Sequence, residues 1–181
     1  MPSTRLRRGL GCLAVVVSLH ATAAAQTPRD PLASSRAALI EGATIAAPVV
    51  AGEIYVPTHS SIFAGDGRTR IDFAVTLSIH NASEKHPLVL RRIDYFDGSG
   101  RLVENHLTTP VAVRPFGTVE IFVAKNDVRG GTGANFVVGW SADGAIAEPV
   151  IEAVMIGDFA NQSYSFVSQG RRIDPTDIPA R

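Results

Sequence analysis

The chain has 181 residues, of which 45% are hydrophobic, and its 17 basic side chains balance 17 acidic ones. This even charge supplies neither the basic surface that nucleic-acid binding requires nor an acidic interaction tail. The only cysteine is Cys12, in the N-terminal segment considered next. The rest of the chain therefore has no thiol nucleophile, disulfide or thiolate metal site.

The first 25 residues are predicted to be a signal peptide. Arginines at positions 5, 7 and 8 precede an apolar stretch of about ten residues, whereas a membrane-spanning helix needs roughly twenty. The small residues of "ATAAA" predict cleavage between Ala25 and Gln26, and a location in the periplasm or outside the cell. The Arg7-Arg8 pair also resembles the start of a twin-arginine signal, although a general secretory signal is the favoured interpretation.

The mature chain is predicted to form one domain. Cleavage of 25 residues from 181 leaves 156, enough for a hydrophobic core, and removes three of the 17 basic residues, giving a net charge of −3. Residues 26–52 are rich in Ala and Pro and are predicted to be a linker. Residues 53–168 form the predicted domain, and residues 169–181 are predicted to be a loose, charged tail.

Short apolar segments separated by Gly, Pro and Asn fill this domain, and nine of them have the composition of β-strands. In chain order they are "EIYVP" at 53, "IDFAVTLSIH" at 71, "LVLRRIDYF" at 88, "RLVENHL" at 101, "VAV" at 111, "TVEIFVAK" at 118, "ANFVVGWSA" at 134, "PVIEAVMIG" at 149 and "SYSFVS" at 163. Eight or nine short strands in one domain predict an all-β fold, an antiparallel β-sandwich of the immunoglobulin-like type.

Apolar and polar residues alternate most regularly in the second of these strands. One face is predicted to be buried, namely Ile71, Phe73, Val75, Leu77 and Ile79. Trp140, on a predicted central strand, is likewise interpreted as a core residue.

The register of the strand "LVLRRIDYF" is ambiguous. Leu88 and Leu90 share one parity, whereas Ile93 and Tyr95 share the other. A bulge at Arg91-Arg92 reconciles the two pairs. The alternative is a strand buried on both faces, with the two arginine side chains extending outward to solvent.

The stretch "RGGTGANFVVGW", residues 129–140, resembles a phosphate-binding glycine loop. Such a loop delivers its anion to the N-terminus of a helix, where unpaired N–H groups point at the charge. Here the glycines precede an apolar, aromatic segment that predicts a strand. The loop is therefore interpreted as structural, with one or more of its glycines at positive φ.

The remaining candidates for chemistry are four scattered histidines, His59, His80, His86 and His106. None is spaced from another as metal-binding pairs are, and His80 and His86 are predicted to be solvated beside a turn.

Asp94 and Asp97 resemble a carboxylate pair, but Asp97 begins the "DGSG" turn, where aspartate is a common turn former. The chain has no G-x-S-x-G nucleophile motif. No catalytic residue, metal ligand or cofactor is predicted.

Five blocks of the chain, "YVPTHSSIF", "AVTLSIHN", "IDYFDGSGRLVENHL", "GGTGANFVVGW" and "IEAVMIG", resemble successive blocks of the bacterial domain of unknown function 3124 family. The resemblance covers about residues 53–170 and implies an exported or lipid-anchored protein. It supplies no activity and no catalytic residues. His59 departs from the residue expected in the first block, which weakens a ligand role for that position.

Two functions remain open. The favoured hypothesis is a non-catalytic module that binds another protein or an envelope component, with His59 and Asn135 as candidate binding residues. The alternative is a hydrolase or metal-carrying protein whose site assembles from distant loops, as convergence of His59, His86 and His106 with a carboxylate would indicate. Neither nucleic acid nor a membrane span of the mature chain is expected, and the sequence leaves the oligomeric state open.

Overall fold

The computed structural model describes residues 30–173, so the predicted cleavage site at Ala25 and Gln26 lies outside the described residues. Eleven strands and two short 3-10 helices, Ala33–Ala38 and Gly131–Gly133, make up the described chain. The strands are β1 (Val50–Pro57), β2 (Ser61–Ala64), β3 (Thr69–His80), β4 (Leu88–Phe96), β5 (Leu102–Asn105), β6 (Val111–Val113), β7 (Thr118–Val123), β8 (Asn135–Ala142), β9 (Val150–Phe159), β10 (Gln162–Gln169) and β11 (Arg171–Arg172).

The strands form two antiparallel sheets packed face to face. The first sheet has the order β11-β1-β8-β4-β5, with β6 also paired to β4. The second has the order β10-β9-β3-β2, with β7 paired to β3 beyond the end of β2. The predicted antiparallel β-sandwich is confirmed, and all nine predicted strands are present. The sequence missed β2 and β11, because four residues and two arginines are too short to show a period of two.

The core lies between the sheets, on the predicted face of β3. Phe73, Val75, Leu77 and Ile79 are fully buried and Ile71 is 2% exposed, so the predicted register of β3 is confirmed. Trp140 of β8 is also buried in this core.

The ambiguity in β4 is resolved by a bulge. Leu90 lies opposite Trp140 of β8, and Arg92 lies opposite the next residue of that strand, Gly139, which leaves Arg91 as the extra residue. Leu88, Leu90, Ile93 and Tyr95 therefore all reach the core, where each is fully buried.

Part of the predicted linker is packed against the sandwich, so the domain begins before its predicted first residue, 53. We call residues 30–40 the side segment. Leu32 is buried, Ser35 Oγ accepts the N–H of Glu120 at 2.9 Å, and Leu39 bridges to Val113. Leu32 joins the core, but the other two contacts are a hydroxyl hydrogen bond and backbone pairing, which have no apolar period that the sequence could reveal.

The start of the predicted tail also needs correction. β10 continues to Gln169, and Arg171 and Arg172 pair with Tyr55 and Ile54 of β1. Among residues 30–173, no helix has the length and apolar character needed to cross a bilayer.

Candidate functional site

The glycine loop leads into a strand, as its apolar continuation predicted. A single 3-10 turn, Gly131–Gly133, is followed by β8 at Asn135, so this loop delivers no ligand onto a helix N-terminus. Gly131 has φ of +69°, which confirms the predicted positive φ. A Cβ on Gly133 would lie 3.0 Å from Cα of Gly98, so the loop packs closely against the β4–β5 turn. Its geometry supports a structural role.

His59 and Asn135 both hydrogen-bond to this loop. Nδ1 of His59 lies 2.6 Å from the carbonyl oxygen of Thr132, and because a carbonyl only accepts, the ring donates. The Asn135 amide donates to the carbonyl of Gly133 at 3.5 Å. These contacts give both side chains a part in holding the loop, and a ligand role for either stays a prediction.

The histidines do not converge. His59 contacts Thr132, just before β8, whereas His86 Nδ1 lies 3.4 Å from a carboxylate oxygen of Asp143, just after β8. The eight residues of that strand separate the two, at roughly 3.4 Å per residue. His80 instead contacts Thr118 of the adjacent strand, with Nδ1 2.9 Å from the hydroxyl. Within residues 30–173, no three His, Cys, Asp or Glu side chains are placed to hold a metal ion.

Asp94 and Asp97 have separate partners and do not form a catalytic pair. Asp97 accepts hydrogen bonds from Ser99 and from the backbone N–H of Arg101, which lower its pKa to about 2 and hold it ionised in the turn. Asp94 is buried between Arg92 and Asn105, each of which donates to one of its carboxylate oxygens.

His106, one of the four histidines considered in the sequence, is buried, which the sequence did not predict. It is 7% exposed, and neither ring nitrogen has a hydrogen-bond partner within the described residues. Burial lowers its pKa, while Glu104, with Oε1 3.6 Å from Nδ1, acts in the opposite direction. Glu104 also binds Arg129 at 2.7 Å. Glu104 on β5 and His106 just after its end are two residues apart, and this spacing is the signal in the sequence that places the two side chains together.

A groove of about 370 Å³ runs beside His106, between residues 104–111 and the side segment. Its lining combines polar side chains, such as Asn105 and Thr108, with apolar ones, such as Leu107 and Val111. A nucleophile activated by His106 would need a hydroxyl within hydrogen-bond reach of the ring, and the described residues place none there.

The buried His106 should make the fold less stable in mild acid. The unfolded chain takes up a proton near the ordinary histidine pKa of about 6.5, whereas the buried ring resists it. The stabilisation is therefore complete above that pH and is lost as the pH falls toward the lowered pKa of the folded state. Urea unfolding of wild type and His106→Gln between pH 7.5 and 5 measures this, and the variant should lose less stability over that range.

His59→Gln, which removes a more exposed histidine, is the matched control. A wild-type stability that is flat from pH 7.5 to 5, or that falls as steeply in His106→Gln, would contradict the assignment to His106.

The outer face of the second sheet carries an exposed apolar row. Val167 of β10 lies opposite Val154 of β9, Val154 lies opposite Thr76 of β3, and Thr76 lies opposite Phe122 of β7. Ile156 is the neighbour of Val154 on the same face. Phe122 is 60% exposed, Ile156 57% and Val167 55%. We call Phe122, Val154, Ile156 and Val167 the outer patch.

Charged rows flank the outer patch on both sides. On one side Glu152 of β9 and Glu120 of β7 lie opposite Ser78 of β3. On the other side Asp158 binds Lys125 at 2.7 Å. A groove of about 390 Å³ extends from Phe122, Thr76 and Glu120 to the side segment. The outer patch is therefore bordered by two carboxylates on one side and by an ion pair on the other.

The outer face of the first sheet is different in character. Arg92 binds Glu53 at 2.9 Å, and Arg172 binds Glu148 at 3.3 Å. These ion pairs make that face polar, as the solvated face of an antiparallel sheet normally is. The outer patch thus belongs to one of the two sheets only.

Comparison with known proteins identifies a family without an assigned activity. A family model described as a protein of unknown function, DUF3124, matches residues 51–173. The crystal structure of Thermotoga maritima 1070 is similar with a TM-score of 0.43 and 12% sequence identity, over 66% of this chain and 92% of that chain. No curated protein matches this chain in sequence.

Proposed function

The chain belongs to the DUF3124 family of proteins of unknown function, and we propose that it is an exported, non-catalytic binding module. Its predicted signal peptide carries it beyond the inner membrane, where the outer patch contacts another protein or an envelope component. The partner surface is apolar and has basic groups at its border, because it must complement the carboxylates of Glu120 and Glu152.

The observation that carries this proposal is the outer patch, whose apolar side chains come from β7, β9 and β10 of the second sheet, with Thr76 of β3 between Phe122 and Val154. Single exposed apolar residues are ordinary on protein surfaces, but a cluster of them is the usual mark of an interaction surface. Phe122 and Ile156 have the size of interface anchors. Since each is more than half exposed, a partner that covers these side chains would bury most of their apolar area.

The placement of the polar side chains favours binding over chemistry. His59 and His86 lie at opposite ends of β8, and the bonds of His59 and Asn135 are to the loop backbone. A hydrolase needs a nucleophile beside its base, and a metal carrier needs several ligands around one point. Residues 30–173 contain no cluster of metal ligands. Their hydroxyl–histidine contact, Thr118 with His80, joins directly opposite residues of β7 and β3, as ordinary cross-strand pairs do.

Replacing the outer patch should weaken binding to the cell envelope. The chain as exported is purified, labelled and titrated onto the isolated envelope fraction of the source bacterium. Wild type should bind saturably, and Ile156→Lys and Phe122→Lys should each bind at least about tenfold more weakly, the loss expected for a buried anchor. Protease treatment of the envelope distinguishes a protein partner from another component.

The matched control is Phe63→Lys. Phe63 is 63% exposed and lies on β2 opposite Arg70, outside the outer patch, so this variant should bind as wild type does. Thermal unfolding checks that all three variants fold. Absence of saturable binding, or equal binding by all variants, would contradict the proposal.

A further inference from the structure

The second sheet ends in one long edge that no segment of residues 30–173 covers. β10 pairs with β9 through eight consecutive residue pairs and with no other strand among residues 30–173. The other edges are short or covered: β2 and β5 have four residues each and β11 has two. The edge of β7 is covered by the side segment, where Ser35 accepts the N–H of Glu120.

The edge of β10 lacks the features that prevent edge pairing. Its sequence, "QSYSFVSQ", contains no charged residue, proline or glycine, and its pairing with β9 has no bulge. Ala160 and Asn161 form a two-residue turn with φ of +48° and +64°, as in tight hairpins. β10 is therefore a regular strand, with a tight turn at one end and no break in its register.

Alternate residues of β10 direct their backbone groups outward. In a hairpin closed by a two-residue turn, the pair next to the turn, Phe159 and Gln162, is hydrogen-bonded, and hydrogen-bonded pairs then alternate with unbonded ones. Ser163, Ser165 and Val167 therefore point their N–H and C=O groups away from β9. These groups are available to another strand.

We propose that β10 pairs antiparallel with β10 of a second copy of this chain, around a two-fold axis perpendicular to the sheet. Residues that lie opposite each other on adjacent strands point to the same face of the sheet. The axis therefore passes between the two copies of one residue near the middle of the strand, either Ser165 or Phe166. Two five-stranded sheets then become one sheet of ten strands. The outer patches of the two copies meet on the same face.

A second copy fits this edge better than an unrelated strand. β10 has Gln and Ser at both of its ends, so antiparallel pairing with itself places no charge opposite another charge.

The aromatic residues of β10 would gain burial in this dimer. Tyr164 and Phe166 face the core but are only partly buried, because β10 is the last strand of its sheet. Phe166 meets Phe73 edge-on at 5.2 Å between ring centroids. The corresponding side chains of a second copy would extend this apolar layer across the axis.

The test is the mass of the purified exported chain in solution. Sedimentation at 1–100 μM should give twice the monomer mass for wild type. Ser165→Pro removes an outward N–H and should raise the dimer dissociation constant at least tenfold, whereas the control Ser165→Thr keeps the N–H and should remain dimeric. A monomeric wild type at 100 μM, or a well-folded Ser165→Pro that dimerises as wild type does, would overturn the proposal.

Disulfide cross-linking between the two copies tests the proposal if Ser165→Pro fails to fold. In the exported chain, which has no cysteine once the predicted signal peptide is removed, Ser165→Cys should form a disulfide-linked dimer under mild oxidation, because the axis brings the two copies of this position together. Thr109→Cys, at an exposed position between β5 and β6, is the control and should cross-link far less. Equal cross-linking of both would overturn the proposal. This inference is independent of envelope binding, since it is measured on the purified chain alone.

Discussion

Replacing Leu77 with alanine should lower the free energy of unfolding by about 2–5 kcal/mol. Leu77 is fully buried at the centre of β3, between Ile121 of β7 and Ala153 of β9. Alanine removes three side-chain carbon atoms from a site that strands hold on both sides, so the cavity cannot collapse easily. Urea unfolding of the purified chain measures the loss.

Thr76→Ala is the matched control for this substitution. Thr76 is the neighbour of Leu77 on the same strand but lies on the outer face and is partly exposed, so its truncation should cost less than about 1 kcal/mol. A Leu77→Ala loss below that value would mean that the two faces of β3 are assigned the wrong way round.

Gly130→Ala should destabilise the protein at the upper end of the roughly 1–3 kcal/mol typical of overpacking. A Cβ at this position would overlap the hydroxyl of Tyr95 and lie 2.6 Å from Cβ of Ala134. Tyr95 cannot move aside, because it is fully buried and stacked on Phe136 at 4.7 Å between centroids. Urea unfolding again measures the change, and Tyr95→Phe in the same chain should recover part of it.

Gly131→Ala separates backbone strain from crowding. This glycine has φ of +69° and nothing within 4 Å of an added Cβ, so the cost is the left-handed backbone alone, about 1–2 kcal/mol. Gly42→Ala, with φ of +65° and equally open space, should cost the same.

Inorganic phosphate should leave the unfolding midpoint of wild type unchanged. A phosphate-dependent rise that Gly133→Ala abolishes would show that the loop binds anions.

The strands were predictable because a strand with one buried and one exposed face has apolar residues at every second position. β3 shows this best, since its odd-numbered residues from 71 to 79 are apolar and all reach the core. In the sequence the bulge in β4 showed only as two pairs of apolar residues of opposite parity. The sequence tells which side chains are apolar but not which residues of the next strand they lie opposite. The side segment was not predictable, since Ser35 and its neighbours join the sandwich through hydrogen bonds.

The candidate site was less predictable than the fold. "PVIEAVMIG" has apolar residues of both parities, so the apolar character of Val154 and Ile156 was visible. Their exposure was not, because an apolar outer position can equally be covered by another layer of the same domain. Likewise, only the tertiary structure shows that His106 is buried and that His59 hydrogen-bonds to the glycine loop.

Hydroxyl-radical footprinting tests binding through the outer patch most directly. The exported chain is oxidised free and bound to the envelope fraction, and the modification of each side chain is compared. Phe122, Ile156 and Val167 should be protected in the bound state, while the loop residue His59 should be modified equally in both. Protection confined to His59 and its loop, with the outer patch unchanged, would contradict binding through the second sheet.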